Sequence, residues 1–249
     1  MWLPVEARIG LPGLSAVRAA SATSPAPAMS TSKPIHVGME GQRTTATPTR
    51  VIDAVGENHF MTDLYVLPPN LPEPPDDGAA DHLLGVHLPA LRLTSTTEET
   101  VELAALTGLT VLYAYPLTGR PGTELPTGWD GIPGARGCTA EACAFRDHHA
   151  DLIAAGADAV YGLSTQDTAY QREVVDRLHL PFAMLSDPDL RLGAVLGLPT
   201  FTVDGRQLYR RITLLLRDAL VEHVFYPVFP PDQHPQQVLE QLRRGLPSQ

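Results

Sequence analysis

The chain has 249 residues, 43% of them hydrophobic, which is enough to build a substantial core in one large or two small domains. Its formal net charge of −10 argues against a surface for nucleic acid or for an anionic membrane. No apolar run approaches the roughly 18 residues that a membrane helix needs. The two cysteines are too few for a secreted disulfide scaffold, so we expect a reducing, cytoplasmic location.

The N-terminal part differs in composition from the rest. Residues 1–60 are rich in Ala, Ser, Thr and Pro, and this composition predicts a disordered extension because it buries too little apolar surface to offset the ordering entropy. The first residues lack the basic and apolar regions of a secretory signal. Met61 begins the part with regular patterning, so we predict a folded domain over residues 61–249 and an alternative start at Met61. The proline-rich residues 68–77 predict an extended arm or linker.

The next segments predict the edge and the centre of a sheet. Residues 82–93 alternate loosely between apolar and polar and favour the short strands of a hairpin, followed by a turn or short helix over 101–106. Residues 109–115 are apolar and rich in β-formers, which is typical of a buried central strand, and Pro116 ends it.

A strand–helix–strand unit follows from this central strand. The pattern predicts a helix over 138–155 and a second apolar strand over 157–163. Such a crossover connects parallel strands and is expected to be right-handed. The start of the helix therefore lies at the carboxyl edge of the sheet, where open α/β folds place their chemistry.

The remainder completes an α/β fold. In residues 209–216, strand alternation places Arg211 with Thr213 on one face and Arg210 with Ile212 on the other. The other predicted elements are a helix over 168–179 capped by Asp167, a strand over 182–187, a short helix over 190–196, a hairpin over 200–216 turning at Asp204–Gly205, a strand over 221–226 and a closing helix over 236–244.

Both cysteines lie at the start of the helix over 138–155. The unpaired amides and dipole of a helix N-terminus favour an anion, so we expect Cys138 to ionise readily and to act as a nucleophile. On a regular helix, Cys138 and Cys143 point about 140° apart with Cα atoms roughly 8–9 Å apart. A disulfide needs Cα atoms within about 7 Å, so the two could bridge only if this turn unwound.

Two plainer interpretations of the cysteines remain open. They could be inert buried residues that pack as small hydrophobes. A metal site with His148 and His149 is disfavoured, because zinc ligands are usually spaced more tightly and these histidines do not share a helical face with Cys143. The remaining histidines, such as His234, carry no recognisable constellation and are interpreted as surface or loop residues.

The sequence Tyr115-Pro116, followed by Gly137-Cys138-Thr139 and continuing to Asp147, resembles the peroxiredoxin Q (bacterioferritin comigratory protein) group of the thioredoxin-fold superfamily. The resemblance extends over about residues 83–242. It implies a thioredoxin-like fold with a central mixed sheet flanked by helices. It also implies that Cys138 is the peroxidatic cysteine and Cys143 the resolving one, joined during turnover by an intramolecular disulfide.

The activity implied by the resemblance is the reduction of hydrogen peroxide and organic hydroperoxides, with re-reduction by a thioredoxin or glutaredoxin-like donor. It implies no metal, flavin or haem, no nucleic-acid or membrane partner, and a monomer or weak dimer. A rival hypothesis is a non-catalytic redox sensor or thioredoxin-fold interaction protein that uses the same disulfide. A general thiol–disulfide oxidoreductase is disfavoured, because it usually has two residues between its cysteines and this chain has four.

Arg211 matches the guanidinium that the family carries two residues before a Thr. The resemblance implies that Arg211 holds the thiolate and a peroxide oxygen together, with Arg210 as the fallback. A surface arginine on an edge strand is the plainer alternative.

The chain departs from the family pattern Pro-x-x-x-Thr/Ser-x-x-Cys, because Gly131 and Ala135 occupy the Pro and hydroxyl positions. Pro116 is carried over as the strand-ending proline, and Thr118 is our first choice for the hydroxyl that orients the peroxide. Thr123, Thr127 or a backbone amide are the alternatives. The long loop over residues 118–136 contains Trp129 and is predicted to cover the thiol or to contact a partner.

Overall fold

The computed structural model describes residues 64–246. The predictions for residues 1–60, and for Met61 as a start, lie outside the described residues. Among the described residues, no helix combines the length and the apolarity needed to cross a membrane.

Residues 64–246 form a seven-stranded sheet, a separate two-stranded hairpin and four α-helices. The strands are β1 (Arg92–Ser95), β2 (Thr100–Glu102), β3 (Leu109–Ala114), β4 (Ala159–Ser164), β5 (Ala183–Ser186), β6 (Thr200–Val203), β7 (Arg206–Tyr209), β8 (Ile212–Arg217) and β9 (Leu220–Phe225). The helices are α1 (Cys138–Ala154), α2 (Thr168–Leu178), α3 (Arg191–Leu196) and α4 (His234–Arg244), with short 3₁₀ turns at Asp81–Leu83, Leu103–Ala105, Trp129–Gly131 and Pro231–Gln233.

The large sheet is mixed, as predicted. Its order is β2-β1-β5-β4-β3-β8-β9, and β6 pairs with β7 alone. The three strands β3, β4 and β5 run parallel, while the other pairings in the sheet are antiparallel. The predicted strand–helix–strand unit is β3–α1–β4 and its strands are parallel.

The central strand β3 separates two hydrophobic cores because its side chains alternate between the faces of the sheet. Val111 and Tyr113 point into the core that α1, α2 and α4 cover, whereas Leu112 and Ala114 join the opposite core with residues of α3. Every residue of β3 is buried. This explains why its sequence is almost continuously apolar, as expected for a strand that is covered on both faces.

One predicted hairpin is located differently in the structure. The hairpin expected over 82–93 is instead formed by β1 and β2, which turn around residues 96–99. The segment 82–88 forms a 3₁₀ turn and an isolated bridge, since Gly85 adopts a positive φ of 77° and Pro89 provides no amide for a strand ladder.

The strand expected over 207–216 is two strands. β7 pairs with β6, and β8 then enters the large sheet beside β3. The break falls at Arg210, whose amide donates to the carbonyl of Pro199 at 2.8 Å. Two adjacent arginines, Arg210 and Arg211, interrupt the polar–apolar alternation at this break, but the sequence pattern does not show that the chain changes sheets there.

Candidate active site

The helix α1 begins at Cys138, and Gly137 immediately before it is required by the geometry. Gly137 has a φ of 104°, in the left-handed region that L-residues with side chains rarely adopt. A Cβ at this position would lie 2.5 Å from Cγ of Pro231 and 2.7 Å from Cδ2 of Leu67. The chain can therefore enter the helix here only without a side chain, and Cys138 receives the first helical position.

Arg211 of the β7–β8 junction brings its guanidinium to the thiol. Its Nη2 lies 3.4 Å from Sγ of Cys138 and also donates to the carbonyls of Arg136 at 3.2 Å and Gly134 at 3.4 Å. Its Nη1 forms an ion pair with Oε2 of Glu141. Both Arg211 and Glu141 are buried, so the guanidinium is held in one orientation by groups from several segments.

The pKa of Cys138 is shifted in the direction opposite to the one predicted from its position at a helix N-terminus. Burial raises the pKa of Cys138, while the charge of Arg211 and the amide of Leu117 oppose this rise and Glu141 adds to it. The thiol lies 3.5 Å from the carbonyl of Ala135, a contact that favours the protonated form. The prediction that Cys138 ionises readily is therefore wrong for this conformation, because the loss of solvation outweighs the favourable charges.

Glu141 is the group that the sequence analysis missed. Burial raises its pKa to about 7, although Arg211 favours its charged form. Glu141 is three residues after Cys138, a spacing that places the two side chains on neighbouring positions of one helix face. That spacing was the available signal, but the partner Arg211 is 70 residues further along the chain.

Cys143 lies on the same helix in a different setting. It is half-buried, and burial raises its pKa while Arg146 opposes the rise. Arg146 also bonds to Asp147 at 2.8 Å and to the carbonyl of Leu178 at 2.9 Å. Both cysteines are free, and α1 is continuous across them, so ideal helix geometry separates their Cα atoms by roughly 8–9 Å.

The hydroxyl of Thr118 is engaged by Gln166 in this structure. Pro116 is buried just after β3, and two residues later the hydroxyl of Thr118 donates to Oε1 of Gln166 at 2.8 Å. The amide of Thr118 donates to the same oxygen at 2.9 Å. The backbone group that acts on Cys138 is the amide of Leu117, so the backbone-amide alternative fits this geometry better than the Thr118 hydroxyl.

The long loop after Pro116 is anchored on the hairpin. Trp129 is buried in a small third core with Ala135, Val203 and Leu208. Its ring centroid lies 6.0 Å from that of Phe201. Trp129 therefore fixes the loop internally, and it presents no exposed ring to a partner.

The prediction that His234 is a surface or loop residue is wrong, because the side chain is fully buried. Its Nε2 lies 2.8 Å from Oγ1 of Thr213, and its ring contacts Phe145 and Phe225 edge-on. Burial lowers the pKa of His234 to about 4. In the part of the chain that the structure describes, no three His, Cys, Asp or Glu side chains cluster as metal ligands would.

A mixed sheet with parallel central strands and a cysteine–arginine pair at the first turn of a helix define a thioredoxin-like protein of the thiol-redox class. The Redoxin family model matches residues 83–242, and the chain therefore belongs to the Redoxin family.

Curated relatives point to one branch of this family, which agrees with the predicted resemblance. The chloroplastic peroxiredoxin Q of Oryza sativa subsp. japonica is 32% identical over 136 residues, which are 53% of this chain and 54% of the relative. The chloroplastic peroxiredoxin Q of Triticum aestivum is 31% identical over 59% of this chain and 60% of its own length. The chain thus spans a little more than half the length of these relatives.

Solved structures agree with the fold. Peroxidoxin BcpB from Mycobacterium tuberculosis is 25% identical with a TM-score of 0.52, covering 65% of this chain and 97% of that one. Peroxiredoxin Q from Xanthomonas campestris is 24% identical with a TM-score of 0.50, covering 64% and 96% respectively, and this likeness concerns the fold alone. The predicted thioredoxin-like fold is confirmed.

Proposed function

We propose that this protein is a thiol-dependent peroxidase that reduces hydrogen peroxide and organic hydroperoxides. The observation that carries the proposal is the 3.4 Å approach of Arg211 Nη2 to Sγ of Cys138 at the first residue of α1. A guanidinium in this position can hold a thiolate and a peroxide oxygen together and stabilise the charge that develops as the O–O bond breaks. Membership of the Redoxin family and the peroxiredoxin Q relatives support the same reaction.

In the first step, the thiolate of Cys138 attacks the terminal oxygen of the hydroperoxide. A sulfur–oxygen bond forms as the O–O bond breaks, and the departing oxygen takes a proton and leaves as water or an alcohol. Sulfur is oxidised by two electrons to sulfenic acid, and the peroxide is reduced by two. Arg211 and the amide of Leu117 are the donors available to orient the peroxide.

In the second step, the first turn of α1 unwinds and the thiolate of Cys143 attacks the sulfenic sulfur. The new disulfide forms as water leaves. Unwinding is required because the intact helix holds the two Cα atoms further apart than a disulfide allows. A thioredoxin or glutaredoxin-like dithiol then reduces the bridge by exchange.

Stopped-flow peroxide consumption and intact mass test this proposal with the wild type, Cys138→Ser and Cys143→Ser. After one equivalent of peroxide, we expect the wild type to lose two hydrogens within a monomer. Cys143→Ser is expected to retain the fast first step and to gain the mass of one oxygen. Cys138→Ser is expected to show no fast step and no change in mass. A wild type without any fast step would contradict the proposal and favour the non-catalytic redox sensor.

We also propose a reducing, cytoplasmic location and a monomeric or weakly dimeric state. The low cysteine count supports the location, although the similar plant proteins carry chloroplastic names. Fractionation of native cells tests the first point and sedimentation analysis of the full chain the second.

A further inference from the structure

A segment outside the Redoxin match lies across the active site. Residues 64–77, which we call the strap, form neither helix nor strand and contact two active-site segments at their start. A Cβ at Gly119 would lie 2.7 Å from Cδ2 of Leu64, and one at Gly137 would lie 2.7 Å from Cδ2 of Leu67. The strap therefore packs against both the loop after β3 and the residue that precedes the reactive cysteine.

The other end of the strap is anchored on the far side of the site. Asp77 accepts a hydrogen bond of 2.8 Å from the hydroxyl of Tyr226, just after β9. Pro74, three residues earlier, is buried, and a Cβ at Gly134 would lie 3.4 Å from its ring. Gly134 supplies one of the carbonyls that hold the guanidinium of Arg211.

Between the strap and the guanidinium lies a small opening. Pro74, Gly134, Arg211 and Tyr226 contribute to its lining, and its volume is about 10 Å³. This is close to the minimum that holds one water molecule. Arg211 lines this opening and its Nη2 also contacts Sγ of Cys138, so the opening borders one of the groups that would bind the peroxide.

A larger cleft of about 540 Å³ lies nearby, but Leu117 rather than Arg211 contributes to its lining. Of these two spaces, the small opening is the one that has Arg211 in its lining. The ring of Pro74 cannot rotate out of the opening as an ordinary side chain can, because the ring is closed onto the backbone. Widening at Pro74 therefore requires movement of the strap itself.

We propose that the strap selects hydroperoxides by size, admitting hydrogen peroxide and unhindered hydroperoxides while excluding those with tertiary alkyl or aryl groups. This inference rests on the proposed peroxidase function. A hydrogen peroxide molecule is little wider than the water that the opening can hold, whereas a tertiary hydroperoxide carries several carbons next to its reacting oxygens. Pro74 is the specificity-determining residue, and the Asp77–Tyr226 hydrogen bond keeps it in place.

Rate constants for Cys138 oxidation by hydrogen peroxide and by cumene hydroperoxide, measured by stopped flow on the full chain, test the inference. Pro74→Gly is compared with Pro75→Gly, which makes the same backbone change at an exposed neighbour. We expect the wild type to favour hydrogen peroxide. Pro74→Gly should raise the constant for cumene hydroperoxide about tenfold with little change for hydrogen peroxide, whereas Pro75→Gly should change neither.

A second pair of variants removes an anchor instead of the proline. Asp76 and Asp77 each accept a local amide two residues on, at 3.1 and 3.2 Å, and Asp77 also binds Tyr226. Asp77→Ala is expected to shift selectivity towards cumene hydroperoxide, while Asp76→Ala is not. This pair decides the question if Pro74→Gly does not fold.

Two results would overturn the inference. Equal gains for both peroxides, or equal behaviour within each matched pair, would mean that the strap does not select by size, and the peroxidase function would stand. Failure of the wild type to consume either peroxide would remove the proposed function itself.

Discussion

The two cysteines share one helix but differ in how their surroundings are built. Burial raises the pKa of both thiols, and an arginine opposes the rise in each case. For Cys138 this arginine is Arg211, which is 73 residues further along the chain and buried. For Cys143 it is Arg146, which is three residues along the same helix and partly exposed.

The thiol of Cys138 is held more rigidly than that of Cys143. The guanidinium of Arg211 is fixed by two carbonyls and by Glu141, so Cys138 lies in a preorganised site. Arg146 bonds to its neighbour Asp147, to the carbonyl of Leu178 and to Cys143 itself, but it is partly exposed and is held by fewer buried groups than Arg211. This suits a first thiol that reacts in place and a second that approaches after the helix turn unwinds.

Replacing each arginine in turn should give the largest difference between the two cysteines. Arg211→Lys is expected to lower the rate constant for Cys138 oxidation by about 10²–10³-fold, because an ammonium group cannot reproduce the planar set of contacts. Arg146→Lys is the matched control and should leave this first step nearly unchanged. Stopped-flow oxidation by hydrogen peroxide measures both, and equal losses would show that general charge, not preorganisation, matters.

The packing before Cys138 can be tested through stability. Gly137→Ala should cost about 3 kcal/mol, since the new methyl group meets Pro231 and Leu67 and the φ of 104° is strained for alanine. Gly122→Ala has a similar positive φ of 74° but no atom within 4 Å, so it should cost only about 1 kcal/mol. Urea unfolding measures both costs. Equal values would mean that the strap and the Pro231 turn do not press on this residue.

The pH dependence of stability separates two buried groups. Burial lowers the pKa of His234 to about 4, from about 6.5 in the unfolded chain, so between these pH values the unfolded state binds the proton and the folded state does not. The free energy of unfolding should therefore rise by up to about 3 kcal/mol as pH increases from about 4 to 6.5. The pKa of Glu141 is raised to about 7 from 4.5, so its contribution should fall as pH increases over that range. The two opposing trends should leave the wild type nearly level.

Single variants reveal each trend. Glu141→Gln should leave a stability that rises with pH, and His234→Gln one that falls, both measured by urea unfolding between pH 4.5 and 6.5. Parallel curves for the two variants would contradict the assignment of these groups.

The smallest expected effect concerns the thiols themselves. Glu141→Gln removes a negative charge that raises the pKa of Cys138 while keeping an oxygen for Arg211, so this pKa should fall. Cys143 should titrate nearly as before, because the main causes of its pKa shift are burial and the charges of Arg146, Asp147 and Arg177. Thiolate ultraviolet absorbance against pH, recorded separately in Cys143→Ser and Cys138→Ser backgrounds, measures each thiol. An equal change at both would place the effect outside the Cys138 cluster.

Much of the fold was predictable because its signals are local. The apolar run of β3, the helix start at Cys138 and the cap of α2 by Asp167 each depend on residues close in sequence, and Asp167 does accept the amide of Tyr170 at 2.7 Å. The alternation over β8 likewise placed Arg211 on the correct face. The break at Arg210 was missed, because what defines it is a bond to Pro199 from another part of the chain.

Three features follow from the sequence pattern alone: which cysteine begins the helix, which strand lies at the centre of the sheet, and which arginine faces α1. Hydrophobic periodicity and the positions of glycine and proline define them. Three features depend on the folded structure instead: Glu141 pairs with Arg211, Thr118 bonds to Gln166, and burial raises the pKa of Cys138. These outcomes depend on desolvation and on partners more than 40 residues away. Neither the loss of solvation nor the identity of a distant partner can be read from the spacing of neighbouring residues.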